Sequence, residues 1–240
     1  CPTCHRAFHN GTKEVKIKMI ENLYEKLLER YPNILFEHCA SGGGRFDMGM
    51  LAYSPQIQAS DVTDAVSRVF INYSSSYAYP LSCIGSHAFS DHLLPYSAKA
   101  AIALFGTYGY EMNPLKLDEK DVKEIDTVAK IYKEYHLECI QNGDLYRMSN
   151  PYTSNHMSMI CVSKNKSKAI GIYFNILKEG NVSRFMKFDG LNDEDQYVNS
   201  YDGKTYSGKY YRLIGLNLNK WLGEFETFII ITFIKKYDNI

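Results

Sequence analysis

The chain has 240 residues, a formal net charge of zero at pH 7 and 45% hydrophobic residues. That length supports one large domain or two smaller ones around a substantial core. The even charge offers no basic face to nucleic acid or to an anionic membrane surface. No stretch is long and apolar enough to span a bilayer, since the run from Phe225 to Ile234 is short and interrupted by Glu226 and Thr227.

Six cysteines, at positions 1, 4, 39, 83, 139 and 161, are scattered rather than spaced as a disulfide framework. Reduced thiols and a cytoplasmic setting are expected. No signal peptide is read, and a start on Cys1 suggests a fragment or processed product. The 20 tyrosines suit a sugar-stacking surface, but equally an ordinary core, which is the default reading.

In chain order, Cys1-Pro2-Thr3-Cys4-His5 matches a haem-attachment pattern and half a zinc ribbon. No second C-x-x-C follows, so neither a cofactor nor a metal is expected. Residues 12–30 form an amphipathic helix with Ile20, Leu23, Tyr24, Leu27 and Leu28 on one stripe. Tyr31-Pro32-Asn33 stops it. Ile34-Leu35-Phe36 opens a strand that ends at Glu37, His38 and Cys39, and Ser41-Gly42-Gly43-Gly44 turns the chain.

A second strand ends near Ala59-Ser60-Asp61. A helix opened by Asp61, Thr63 and Asp64 then runs to about Tyr73. The next strand candidate is 79–84, ending at Gly85-Ser86-His87. A helix over 97–104, a strand over 108–112 and a long helix from Asp118 to about Ile140 follow. Such alternation implies a parallel sheet, and the short, polar strand ends favour a barrel.

The pattern changes near Gly143. Strand-like runs at 145 onward, 158–162, 169–176, 185–188, 196–198 and 225–233 are separated by turn signals at Asn165, Glu179-Gly180-Asn181, Asp189-Gly190 and Asp202-Gly203. They predict an antiparallel β domain. The expected division is 1–142 and 143–240.

The segment CASGGGRFDMGMLAYSPQIQASDVTDAVSR, from Cys39 to Arg68, resembles a signature of α-galactosidases of glycoside hydrolase family 36. The resemblance continues through Tyr79-Pro80-Leu81-Ser82, Gly85-Ser86-His87, residues 105–111, residues 143–147 and Tyr206-Ser207-Gly208. It implies the C-terminal half of a (β/α)8 TIM barrel followed by a C-terminal antiparallel β-sandwich domain, that is, α/β then all-β. The family hydrolyses terminal α-galactosides with retention, which needs one carboxylate as nucleophile and another as acid/base.

By position in the motif, Asp61 resembles the acid/base. Cys39 and Gly42 match galactose-contacting positions, and Gln58 stands where the family has a sugar-pocket tryptophan. The family's nucleophile lies in an upstream Lys-x-Asp motif that is not found before Glu37. The resemblance also implies an oligosaccharide α-galactoside as substrate and a homo-oligomer in the full-length form. The alternative reading is a catalytically inactive remnant or a galactoside-binding module, motivated by Gln58 and the missing nucleophile.

Each residue also has a plainer role. Asp61 fits a helix N-cap, and Asp64 a first-turn acid. Cys39 fits a small buried apolar residue. Arg45 and Asp47 fit a pair that holds the loop. His87 fits either pocket lining or a structural role. Glu37 and His38 have no second ligand pair at metal spacing.

Overall fold

The computed structural model describes residues 13–89, 94–177, 185–218 and 227–237. The Cys1-to-His5 motif and the expected turn at 179–181 lie outside them. The chain divides into two compact units, residues 1–61 and 62–240.

The first unit contains α1 (Lys13–Arg30), β1 (Glu37–His38), α2 (Met48–Leu51) and β2 (Gln56–Gln58). α1 has no glycine or proline, and Glu14 and Arg30 suit the two ends of its dipole. Its expected stripe is only partly covered, with Leu23 55% exposed. Tyr24 makes the main anchor: its hydroxyl lies 2.6 Å from His38 Nδ1, and its ring meets Phe36 edge-on at 5.9 Å.

β1 and β2 pair in parallel, with Glu37 opposite Gln56 and His38 opposite Ile57. The expected strand at Ile34–Phe36 is displaced. Ile34 is 50% and Leu35 84% exposed, and ladder bonds begin only at Glu37. The apolar run of strand type precedes the ladder rather than joining it, and Phe36 packs on the Tyr24 ring.

His38 is buried, and desolvation, reinforced by the nearby Arg45 guanidinium, lowers its pKa from the ordinary 6.5. The unfolded chain therefore takes up a proton that the folded one resists. The stability at stake is fully present above pH 6.5 and is lost as the pH falls from there towards the depressed folded value. Urea unfolding of the protein, followed by circular dichroism, is expected to shift to lower midpoint below pH 6.5, and His38→Gln to flatten that dependence. An unchanged slope in the variant would assign the effect elsewhere.

The second unit begins with α3 (Ala65–Ser75), β3 (Ile84–Phe89), α4 (Tyr96–Ala103), β4 (Thr107–Glu111) and α5 (Glu119–Tyr135). β3 and β4 pair in parallel, as the alternation of elements predicts. Asp64, not Asp61, caps α3: its Oδ2 accepts the Ser67 amide at 2.7 Å. The strand expected over 79–84 lies at 84–89, because Leu81–Cys83 wind into a 3-10 turn after Pro80.

α4 is buried on nearly every side. Its alanines 98, 100, 101 and 103 let it sit close to its neighbours. The Asn72 amide of α3 donates to Ser86 Oγ of β3 at 2.8 Å, tying helix to strand inside the core. Asp118 caps α5 through the Asp121 amide at 2.8 Å, and a π-helical turn over His136–Gln141 ends the run.

The β region of this unit comprises β5 (Asp144–Ser149), β6 (His156–Val162), β7 (Lys168–Asn175), β8 (Phe185–Met186), β9 (Gln196–Asn199), β10 (Thr205–Ser207), a helix α6 (Gly208–Leu213), β11 (Leu216–Asn217) and β12 (Thr227–Lys235). Six strands form one antiparallel sheet in the order β10-β9-β12-β7-β6-β5, and β8 and β11 form a two-stranded ribbon. Their shared core contains Ile160, Tyr173, Met186, Phe188, Tyr197, Tyr211, Leu216 and Phe233.

Phe188 meets Phe233 at 4.8 Å and Tyr211 at 6.1 Å, both edge-on. The buried phenols reach polar partners: Tyr211 donates to the Tyr197 carbonyl and Tyr197 to the Lys166 carbonyl, each at 3.0 Å. Much of the tyrosine excess is thus core.

Arg147 of β5 joins the β region to the end of α3. Its Nε donates to Ser76 Oγ at 2.9 Å, its Nη2 donates to the Ser76 carbonyl, and its guanidinium stands 4.2 Å from the centre of the Tyr77 ring. Arg147→Ala removes two charge-assisted donors and a cation–π contact, and is expected to cost about 2–4 kcal/mol. Arg147→Lys should recover little of this, since an ammonium lacks the planar fork. Denaturant titration checks both, and a midpoint unchanged in Arg147→Ala would contradict the clamp.

Candidate active site

The four residues singled out for substrate chemistry, Cys39, Gly42, Gln58 and Asp61, all belong to the first unit. Cys39 follows β1 and Gln58 ends β2. Two adjacent parallel strands thus deliver their C-terminal ends to one place, the edge on which parallel barrels carry ligands. Asp61 lies three positions past β2, exposed, with the Cys39 thiol directed at its Oδ1 over 3.9 Å. Cys39 is itself exposed, whereas Cys83, Cys139 and Cys161 are buried. Burial pushes the Cys83 thiol up to about 11 and the Cys139 thiol up to about 12, as for inert core residues. The plainer reading of Cys39 as a buried apolar residue therefore fails.

The glycine loop explains how this pair is held. Ser41 and Gly42 take φ of 50° and 69°, turning the chain sharply after Ala40. A Cβ on Gly42 would stand 2.5 Å from the Asp61 amide nitrogen and 2.8 Å from Ser60 Cα. One on Gly43 would collide with the Ala59 carbonyl, and one on Gly44 would lie 2.5 Å from the Ala40 carbonyl oxygen. Gly42 and Gly43 therefore pack backbone against backbone on Ala59-Ser60-Asp61, and Gly44 packs on Ala40 within the loop. The run of glycines has a structural cause within the chain, besides the sugar approach that the sequence suggested for Gly42.

Gln58 is buried, at 5% exposure. Asp47, expected to pair with Arg45, instead caps α2, its Oδ1 accepting the Met50 amide at 2.9 Å. No Arg45–Asp47 ion pair occurs among the described residues, and none of their His, Cys, Asp and Glu side chains form a group of three able to hold a metal ion.

Glu111 is a residue that sequence reasoning passed over. It stands at the end of β4 with its Oε1 2.5 Å from His87 Nδ1 of β3. The parallel pairing of two short strands that each carry polar residues near their ends was the available signal.

Chemically, the first-unit arrangement presents an exposed carboxylate beside a thiol and a backbone turn. Residues 5–143 match the family model described as Melibiase. The chain belongs to the melibiase family. Residues 156–231 match the glycosyl hydrolase family 36 C-terminal domain, in agreement with the resemblance carried by the Cys39–Arg68 segment.

The chain is 34% identical over 216 residues to the bifunctional α-galactosidase/sucrose kinase AgaSK of Mediterraneibacter gnavus, covering 87% of this chain and 23% of that protein. It is 36% identical over 180 residues to α-galactosidase AgaA of Geobacillus stearothermophilus, covering 72% of this chain and 25% of that one. The crystal structure of the α-galactosidase from Lactobacillus brevis superposes with a TM-score of 0.87 at 30% identity, over 92% of this chain and 32% of that one. Crystal structures of AgaA variants hold raffinose and stachyose. The melibiase chain described here thus spans 23–32% of the length of these relatives, matching a partial barrel followed by a β domain.

Proposed function

We propose that the protein carrying this chain is a retaining α-galactosidase acting on oligosaccharides of the raffinose and melibiose type, in which this chain supplies the acid/base. The observation that carries the reading is Asp61: an exposed carboxylate, held beside Cys39 by the glycine loop, at the family's acid/base position in the motif. Asp61 protonates the glycosidic oxygen as the bond to the anomeric carbon breaks, then takes a proton from the water that releases the sugar. The attacking carboxylate comes from residues outside these 240. Cys39, Gly42 and Gln58 contact the galactosyl unit. The catalytic part ends at residue 142 and the β domain runs over 143–240. The setting is cytoplasmic and the assembly a homo-oligomer.

One observation favours the second reading, a galactoside-binding module or inactive remnant. Gln58 is a buried amide where the family has an aromatic platform. Losing that platform removes about 1–2 kcal/mol of contact with the apolar face of the sugar. Calorimetry with galactose beside a melibiose hydrolysis assay separates the two. Binding without turnover supports the module, and turnover supports the enzyme.

A further inference from the structure

Arg147 carries more donors than its clamp on Ser76 uses. A guanidinium has five N–H groups and no acceptor. Nε gives one hydrogen bond to the Ser76 hydroxyl, Nη2 gives one to the Ser76 carbonyl, and the flat of the group lies on the Tyr77 ring. The other three N–H groups, two of them on Nη1, make no hydrogen bond among the described residues. The acids nearest in sequence are engaged elsewhere: Glu138 pairs with Lys168, and Asp144 with Lys164. Arg147 is half-buried, and a cation drawn out of water with no counter-ion is costly.

Arg147 also lines a cavity of about 320 Å³, all of whose described walls belong to the second unit. That volume is at the lower end of the range for small-molecule sites. Leu81, Ile140 and Leu145 give it an apolar side, and Gln141 a further polar group. Among the described residues that line it, Arg147 is the single charged one and no carboxylate is present. Cys161 lies in the wall as well. Burial pushes its thiol upward, so it stays neutral and supplies no counter-charge. The cavity is therefore a half-apolar hollow with one uncompensated positive charge.

We propose that this cavity binds a small organic oxyanion, with its phosphate or carboxylate group on the open edge of the Arg147 guanidinium and its body against Leu81, Ile140 and Leu145. A planar fork can hold two oxygens of one such group side by side. The inference stands apart from the α-galactosidase reading, since every residue it uses lies between 76 and 161. A guanidinium that served only as a clamp would leave the hollow to water and give anions no saturable effect.

The test uses the whole protein that carries this chain. Inorganic phosphate and acetate are the probes, each titrated by calorimetry at a constant ionic strength set with chloride. Saturable binding of one or both is expected, and the tighter of the two names the head group. Gln141→Glu brings a carboxylate to the cavity without touching the clamp, and Gln141 is exposed, so the fold should tolerate it. It is expected to raise the dissociation constant of the tighter probe about fivefold, the scale of one close like-charge repulsion in water. Arg147→Lys should raise it further, because an ammonium cannot hold two oxygens side by side. No saturable heat with either probe would overturn the proposal, as would equal dissociation constants in the wild type and Gln141→Glu. Melibiose hydrolysis by the same samples reads the α-galactosidase proposal separately.

Discussion

Asp61→Asn is expected to lower kcat/KM on raffinose by about 10³-fold, within the range that general acid–base catalysis supplies. The amide keeps the size of the side chain and its place beside Cys39, but it cannot donate the proton that a poor leaving group needs. An aryl α-galactoside with an acidic phenol leaves without that proton, so its cleavage step should suffer much less. The diagnostic result is therefore a gap between the two substrates that widens on substitution. Because Asp61 is exposed and caps no helix, the variant should keep its folding midpoint. Equal losses on both substrates would move the acid role to another residue.

Gly42→Ala is the second large effect. Alanine at a φ of 69° costs about 1–2 kcal/mol in backbone strain alone. Its Cβ would also press on the Asp61 amide nitrogen at 2.5 Å, and backbone cannot move aside as a flexible side chain can. The relief is a shift of the 59–61 segment, which carries Asp61. A displacement of about 1 Å at a catalytic group can cost about 10²-fold in rate. The expected outcome is a fall in kcat on raffinose of about that size, together with a lower unfolding midpoint. Gly49→Ala serves as the control: its Cβ would meet only Asp47 Oδ1, at 3.2 Å, and should leave the rate near wild type. Wild-type kcat in Gly42→Ala would show that the loop does not set the position of the acid.

Most of this arrangement was legible in the sequence, for identifiable reasons. The α4 and β4 ranges followed from a run of alanines ended by Gly106 and from the short Tyr-Gly-Tyr strand, and both lie within a residue or so of expectation. The β strands after Gly143 were legible because turn residues separate long apolar runs, as for β6 and β7. The failures came where local composition misled. Ile34–Phe36 looked like a strand, but the ladder begins at Glu37 and Ile34 and Leu35 are exposed, since apolar character alone does not provide a sheet partner. The strand expected over 79–84 starts only at Ile84, because Pro80 caps a 3-10 turn over Leu81–Cys83.

α2, β10, α6 and β11 were not anticipated. Each is short, and α2 depends on the Asp47 cap rather than on any periodic pattern. The motif singled out Asp61 and Cys39, whereas the reason for three consecutive glycines is tertiary: Gly42 and Gly43 pack on Ala59-Ser60-Asp61 and Gly44 on Ala40. Asp64 shows the limit of reading caps from composition. Ser, Asp and Thr at 60–64 all suit an N-cap, and only geometry reveals which one accepts the Ser67 amide.

Azide rescue addresses the role of Asp61 most directly. With Asp61→Ala in the protein carrying this chain and an activated aryl α-galactoside as donor, the galactosyl-enzyme forms but no base remains to activate water. Azide needs no base. It is expected to attack the anomeric carbon, displace the enzyme carboxylate and restore turnover, with α-galactosyl azide as the product seen by NMR. Formation of β-galactosyl azide would instead identify Asp61 as the nucleophile, and wild-type hydrolysis without added azide would remove it from the chemistry altogether.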